Sequence, residues 1–89
     1  MEIPITNELI KICKEIADKN YSEKQWAEME SDDMFQNNSF CGGFDADENE
    51  FCFSYFSPDG NEYWFQIDIS SAIQIAEGNK KQITGRVAG

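Results

Sequence analysis

Two spacings of apolar residues divide this chain. Ile5, Leu9, Ile12, Cys13 and Ile16 recur at the 3.6-residue period of a helical stripe, while Lys11, Lys14, Glu15 and Asp18 take the opposite side. Thr6 or Asn7 can cap this first helix, which ends near Lys19-Asn20; Lys11–Glu15 and Lys14–Asp18 fall at i,i+4 and give slight support. Ser22-Glu23-Lys24-Gln25 has the form of a capping box, so a short second helix follows toward Glu30 and turns Trp26 and Met29 or Met34 inward.

From Ser39 the period changes to two. Ser39 to Phe44, Phe51 to Phe56 and Glu62 to Ile69 read as three antiparallel strands. Asp45 to Glu50 closes the first hairpin. Ser57-Pro58-Asp59-Gly60 closes the second, with proline at i+1 of a type I turn and glycine at the left-handed position after it. Pairing each strand about its turn sets Phe44 against Phe51, Phe40 against Tyr55, Tyr55 against Tyr63, Phe53 against Phe65 and Phe51 against Ile67. Alternation places all of them on one face, the core, with the first helix as cover. The other face holds Cys41, Gly43, Cys52, Ser54, Phe56, Trp64, Gln66 and Asp68. Ser70 or Ser71 can cap a third helix, Ala72 to Glu77, which Gly78 ends; a tail with Lys80, Lys81 and Arg86 follows, with a short edge strand through Ile83 and a frayed Val87-Ala88-Gly89. The expected fold is α+β, a single small domain over residues 1–89 in the order α-α-β-β-β-α. A three-stranded antiparallel meander packs against helices. At 89 residues such a domain holds a net stability of only about a few kcal/mol.

Charge sharpens this picture. No basic residue occurs between Lys24 and Lys80, an interval that holds twelve of the seventeen carboxylates and eleven of the twelve aromatics. Aromatics supply a core, so the interval folds; carboxylates without cations make its surface one-signed, which steers a cationic partner. The same sign, with a net charge of −10, argues against direct contact with nucleic acid or an anionic membrane. Met1-Glu2 leads into the helical pattern with no basic n-region and no apolar h-region. The three cysteines are odd in number, and the expected location is a reducing cytoplasm.

Motifs for chemistry are sparse. Histidine is absent, and no phosphate-binding glycine loop, nucleophile elbow or Cys-x-x-Cys pair occurs. The expectation is a non-enzyme without cofactor or metal. Asp45, Asp47 and Asn49 match the first three ligand positions of an EF-hand loop, but Glu50 stands where glycine is required and Phe56 where a bidentate glutamate is required. This stretch reads first as an acidic hairpin turn, with weak cation binding as the alternative. Cys41 and Cys52 lie diagonally on the outer face and read as small apolar filler. Gly42-Gly43 marks a bulge or a close backbone approach. Trp64 points away from the core, and two readings stand equal: an exposed interface anchor, or a ring covered by the second helix through Trp26.

The functional expectation is a small acidic inhibitor that binds a basic protein, such as a nuclease or nucleic-acid-binding complex, with carboxylates where phosphates would sit. Such a composition is similar to that of nuclease-immunity, anti-restriction and anti-CRISPR proteins, a similarity of class with no shared motif. The contacting residues would be Asp32, Asp33, Asp45, Asp47, Glu48, Glu50, Asp59 and Glu62, with Trp64 and Phe56 as apolar anchors. The alternatives are an accessory domain docking through a sheet edge or the Trp64 face, and a small-ligand or cation-binding domain.

Overall fold

Helix α1 (Asn7–Lys19) forms where the apolar stripe places it. Thr6 caps it, its hydroxyl accepting from the Leu9 N–H at 3.4 Å, and Asn20 ends it in a left-handed conformation. Leu9, Ile12, Cys13 and Ile16 are buried. The capping box forms at α2 (Glu23–Ala27), with Ser22 and Gln25 exchanging side-chain and backbone bonds of 3.0 and 3.2 Å. This helix ends at Ala27, short of Glu30. The one ion pair within 4.0 Å among the described residues is Lys24–Glu28, so Lys11–Glu15 and Lys14–Asp18 do not close. The chain is represented by a computed structural model that describes residues 1–29 and 34–88.

The meander is present as β3 (Phe40–Asp45), β4 (Glu50–Phe56) and β5 (Glu62–Ile67), and every cross-strand pair expected from the sequence is in register. It is the middle of a larger sheet. Two-residue strands β2 (Phe35–Gln36) and β7 (Arg86–Val87) extend it to five antiparallel strands in the order β2-β3-β4-β5-β7. A second, two-stranded sheet pairs β1 (Glu2–Ile3) with β6 (Ile83–Thr84). The strand foreseen through Ile83 therefore joins the N-terminal segment. Val87 and Ala88 are not frayed: Val87 pairs with Tyr63, and the Ala88 N–H reaches the Glu62 carbonyl at 3.1 Å.

Helix α3 (Ile69–Ala76) starts three residues before the expected Ala72. Asp68 is the cap, accepting the Ser71 N–H at 2.7 Å, so it belongs to the helix start and not to a strand face. Gly78, at φ +80°, ends the helix; its N–H reaches Ile75 O and the Asn79 N–H reaches Gln74 O, the paired bonds of a Schellman motif.

All three helices pack on the core face of the sheet. One cluster joins Leu9, Ile12, Cys13 and Ile16 of α1, Trp26 of α2, and Ala72 and Ile75 of α3. To these it adds Phe40, Phe44, Phe51, Phe53, Tyr55, Phe65 and Ile67 of the sheet. Each such ring or branched chain, fully buried, contributes about 1.5–3 kcal/mol. Trp26 is wholly buried, with ring centroids 4.9 Å from Tyr21 and 5.0 Å from Phe51. That placement decides between the two readings of Trp64, because α2 sits on the core side. Trp64 is 44% exposed.

Gly42 makes this aromatic layer possible. A methyl there would stand 2.1 Å from the Cys52 carbonyl oxygen and 2.7 Å from the Phe53 ring. With no side chain between them, Phe35 and Phe53 meet across β3 at 6.1 Å. The ladder runs through Gly42 and Gly43 without a slip, so the glycine pair is a close approach and not a bulge.

Candidate functional site

The outer sheet face carries the candidate residues. Among the described residues no helix lies on it, and it forms an open trough of about 1060 Å³. Register fixes its layout. One row crosses all five strands as Gln36, Cys41, Ser54, Trp64 and Arg86. The next row, Gly43, Cys52 and Gln66, is small in its first two members and forms the floor. Beyond it Asp45 and Glu50 pair directly across β3 and β4. Like charges directly opposite each other destabilise a ladder, so this pair is an electrostatic cost held in place by the core beneath it.

Two carboxylates on this face have partners. Asp45 accepts the Asp47 N–H at 3.0 Å, which closes the start of the turn, and its other oxygen lies 3.6 Å from the Cys52 sulfur. Glu62 accepts from Trp64 Nε1 at 2.9 Å and from Ser54 Oγ at 2.8 Å through the same oxygen. Those two donors, Trp64 foremost, hold the Glu62 carboxyl below its ordinary range. Glu62 therefore fixes the indole and is not free to meet a partner with that oxygen. Cys52 also accepts from Gln66 Nε2 at 3.5 Å; burial pushes its thiol up, and the charges of Asp45 and Glu50 act in the same direction. Cys13, deep under α1, is pushed up to about 12 by burial. Neither thiol has the depressed pKa of a nucleophile.

The structure divides the expected contact set. Asp45 and Glu50 line the trough with Trp64, and Asp47 and Glu48 stand exposed on the adjoining turn. Asp59 lies in the opposite turn, at the far end of β4, tied to the Ser57 hydroxyl and to Asn61 Nδ2 at 3.2 Å; these bonds, Ser57 first, hold its carboxyl down. Phe56, 42% exposed, sits beside that turn opposite Glu62 and outside the trough. Asp32 and Asp33 lie outside the described residues.

One member was missed. Arg86 arrives on β7 directly beside Trp64, with its guanidinium carbon 6.0 Å from the ring centroid. The outer face is thus predominantly, not uniformly, negative. Its sequence distance from the acidic interval hid this neighbour; only the pairing of β7 with β5 reveals it. Lys80 lies in a smaller hollow of about 340 Å³ with Glu50, Gln66 and Asp68.

Among the described residues no three of Cys, Asp and Glu converge to hold a metal ion, and no helix is long and apolar enough to cross a membrane. Comparison with known proteins finds no matching family model, no matching curated protein and no matching solved structure.

Proposed function

We propose that this protein is a small non-catalytic binding module that engages a basic protein surface through its outer sheet face and the adjoining Asp45–Glu50 turn. Its partner class is a nuclease or nucleic-acid-binding complex, whose cationic groove the carboxylates would occupy in place of phosphates. The observation that supports this reading is the asymmetry of the two sheet faces. Among the described residues one is covered by three helices, while the other carries no helix, is anchored by a fixed, half-exposed Trp64, and is bordered by Asp45 and Glu50 with Asp47 and Glu48 on the adjoining turn. A rigid, half-exposed Trp has the character of an interface centre, and the carboxylates that border it have that of a polar rim.

The test is capture and inhibition. The immobilised protein is exposed to basic nucleases and nucleic-acid-binding complexes at low and high salt, beside a variant carrying Asp45→Lys, Asp47→Lys, Glu48→Lys and Glu50→Lys. The proposal expects stoichiometric, salt-released binding that the variant loses while keeping its circular dichroism. Capture that resists salt and survives the four reversals would contradict it, and would support an accessory domain docking through Trp64 and Phe56 alone.

A further inference from the structure

The trough has the dimensions of a particular occupant. It is bounded on one side by Trp64, in the Cys41–Ser54–Trp64 row, and on the other by the Asp45–Glu50 row, four residues away along β3 and β4, which is about 13 Å of strand. An α-helix with its side chains is about 10–12 Å across. From β3 to Arg86 on β7 the trough spans three strand spacings, about 14 Å, the length of about ten helical residues. The floor itself is low where Gly43 and Cys52 leave it open. One wall is anionic, and the other presents an indole whose N–H is already satisfied by Glu62.

We infer that the partner element seated in this trough is a basic amphipathic α-helix of about three turns. It lies across the strands with Lys or Arg toward Asp45 and Glu50 and an apolar residue against Trp64. This assignment rests on the binding-module reading and deepens it. The trough favours a helix because an isolated extended strand would leave its width unfilled and could not use the sheet's paired central strands for backbone bonding. Charge complementarity sets the sign: among the described residues Arg86 is the one cation lining the trough, with Lys80 beside Glu50 in the adjoining hollow, against Asp45, Glu50 and the exposed Asp47 and Glu48 of the turn. Docked there, the helix adds a third layer to a two-layer fold.

The experiment uses the intact protein and two synthetic peptides of equal length and composition. Both are amphipathic Lys/Leu sequences with one proline, placed in the N-terminal turn of the first, where a helix tolerates it, and at the centre of the second, where it breaks the helix. Amide and indole signals are followed by NMR during titration. The helical peptide should shift Gly43, Cys52, Trp64 and Gln66, and the broken one should bind about tenfold or more weakly. Cys52→Trp, which fills the floor and leaves the net charge unchanged, should weaken the helical peptide by a similar factor of about ten. Gln66→Trp, on the same floor, serves if Cys52→Trp does not fold. Equal binding of both peptides, or indifference to floor filling, overturns the helix assignment. If Asp45→Asn with Glu50→Gln still abolishes that binding, the acidic-surface reading survives the loss. No shift at the four floor and wall residues also overturns the assignment.

Discussion

Trp64 Nε1 donates to Glu62 Oε2 at 2.9 Å, and Ser54 donates to the same oxygen from the neighbouring strand. The indole is therefore oriented before any partner arrives, which lowers the entropy lost on binding. Glu62→Ala should free the ring. In a Trp26→Phe background, Trp64 fluorescence anisotropy should fall while the urea midpoint moves little. The pH dependence has a defined sign. The Glu62 carboxyl is depressed in the folded state, so the contact persists above the ordinary glutamate range and is lost as pH falls through the lowered value. Trp64 emission should change only in that acidic window, and the change should be absent in Glu62→Ala.

Gly42→Ala tests the aromatic layer. The added methyl meets the backbone oxygen of Cys52 and the Phe53 ring, neither of which can swing away freely. Urea unfolding should report a loss of at least about 1–3 kcal/mol, the usual range for overpacking. Little or no loss would mean that β3 and β4 do not approach as described.

Trp26 is wholly buried, yet its Nε1 finds no acceptor among the described residues. An unmet buried donor costs about 1–3 kcal/mol. Trp26→Phe removes that cost while keeping most of the ring, so it should destabilise by less than about 2 kcal/mol. Trp26→Ala should cost about 3–5 kcal/mol, because it opens a cavity beside Phe35 and Phe51. Similar losses in both variants would indicate that the N–H is satisfied.

Asp68→Ala removes the cap of α3 and should cost about 1 kcal/mol at neutral pH. The Asp68 carboxyl is held down chiefly by its hydrogen bonding at Ser71. Its contribution is therefore complete above the ordinary aspartate range and disappears as pH falls through the depressed value. The difference between parent and variant, measured by urea unfolding, should shrink as the solution is acidified.

Net charge gives a global prediction. Seventeen carboxylates against seven Lys and Arg repel one another in the compact state, so added salt should raise the melting temperature by screening. An unchanged melting temperature would show that the charges are too dispersed to matter.

The meander was legible because its strands run six or seven residues and alternate cleanly, so a single register serves all five expected pairs. The strands at β1, β2, β6 and β7 have two residues each, too few to show any period, and they exist only through their neighbours. The five-residue α2 is too short for its period to say which sheet face it covers; Trp26 turns inward as expected, and Phe35 and Phe51 enclose it on the core side. Asp68 was placed on a strand because Ser70 and Ser71 offered competing caps. The sequence places Glu62 among the contact residues, and Trp64 stands two residues away on the same face. That spacing was the available signal for the bond between them.

The most direct measurement is acrylamide quenching of tryptophan fluorescence, free and in complex with the captured basic partner. Trp26 is sealed, so the quenchable fraction reports Trp64. The account predicts a readily quenched Trp64 in the free protein, shielding in the complex, and return of quenching when salt releases the partner. A Trp64 that is equally quenched in the complex, or already shielded in the free protein, would contradict it.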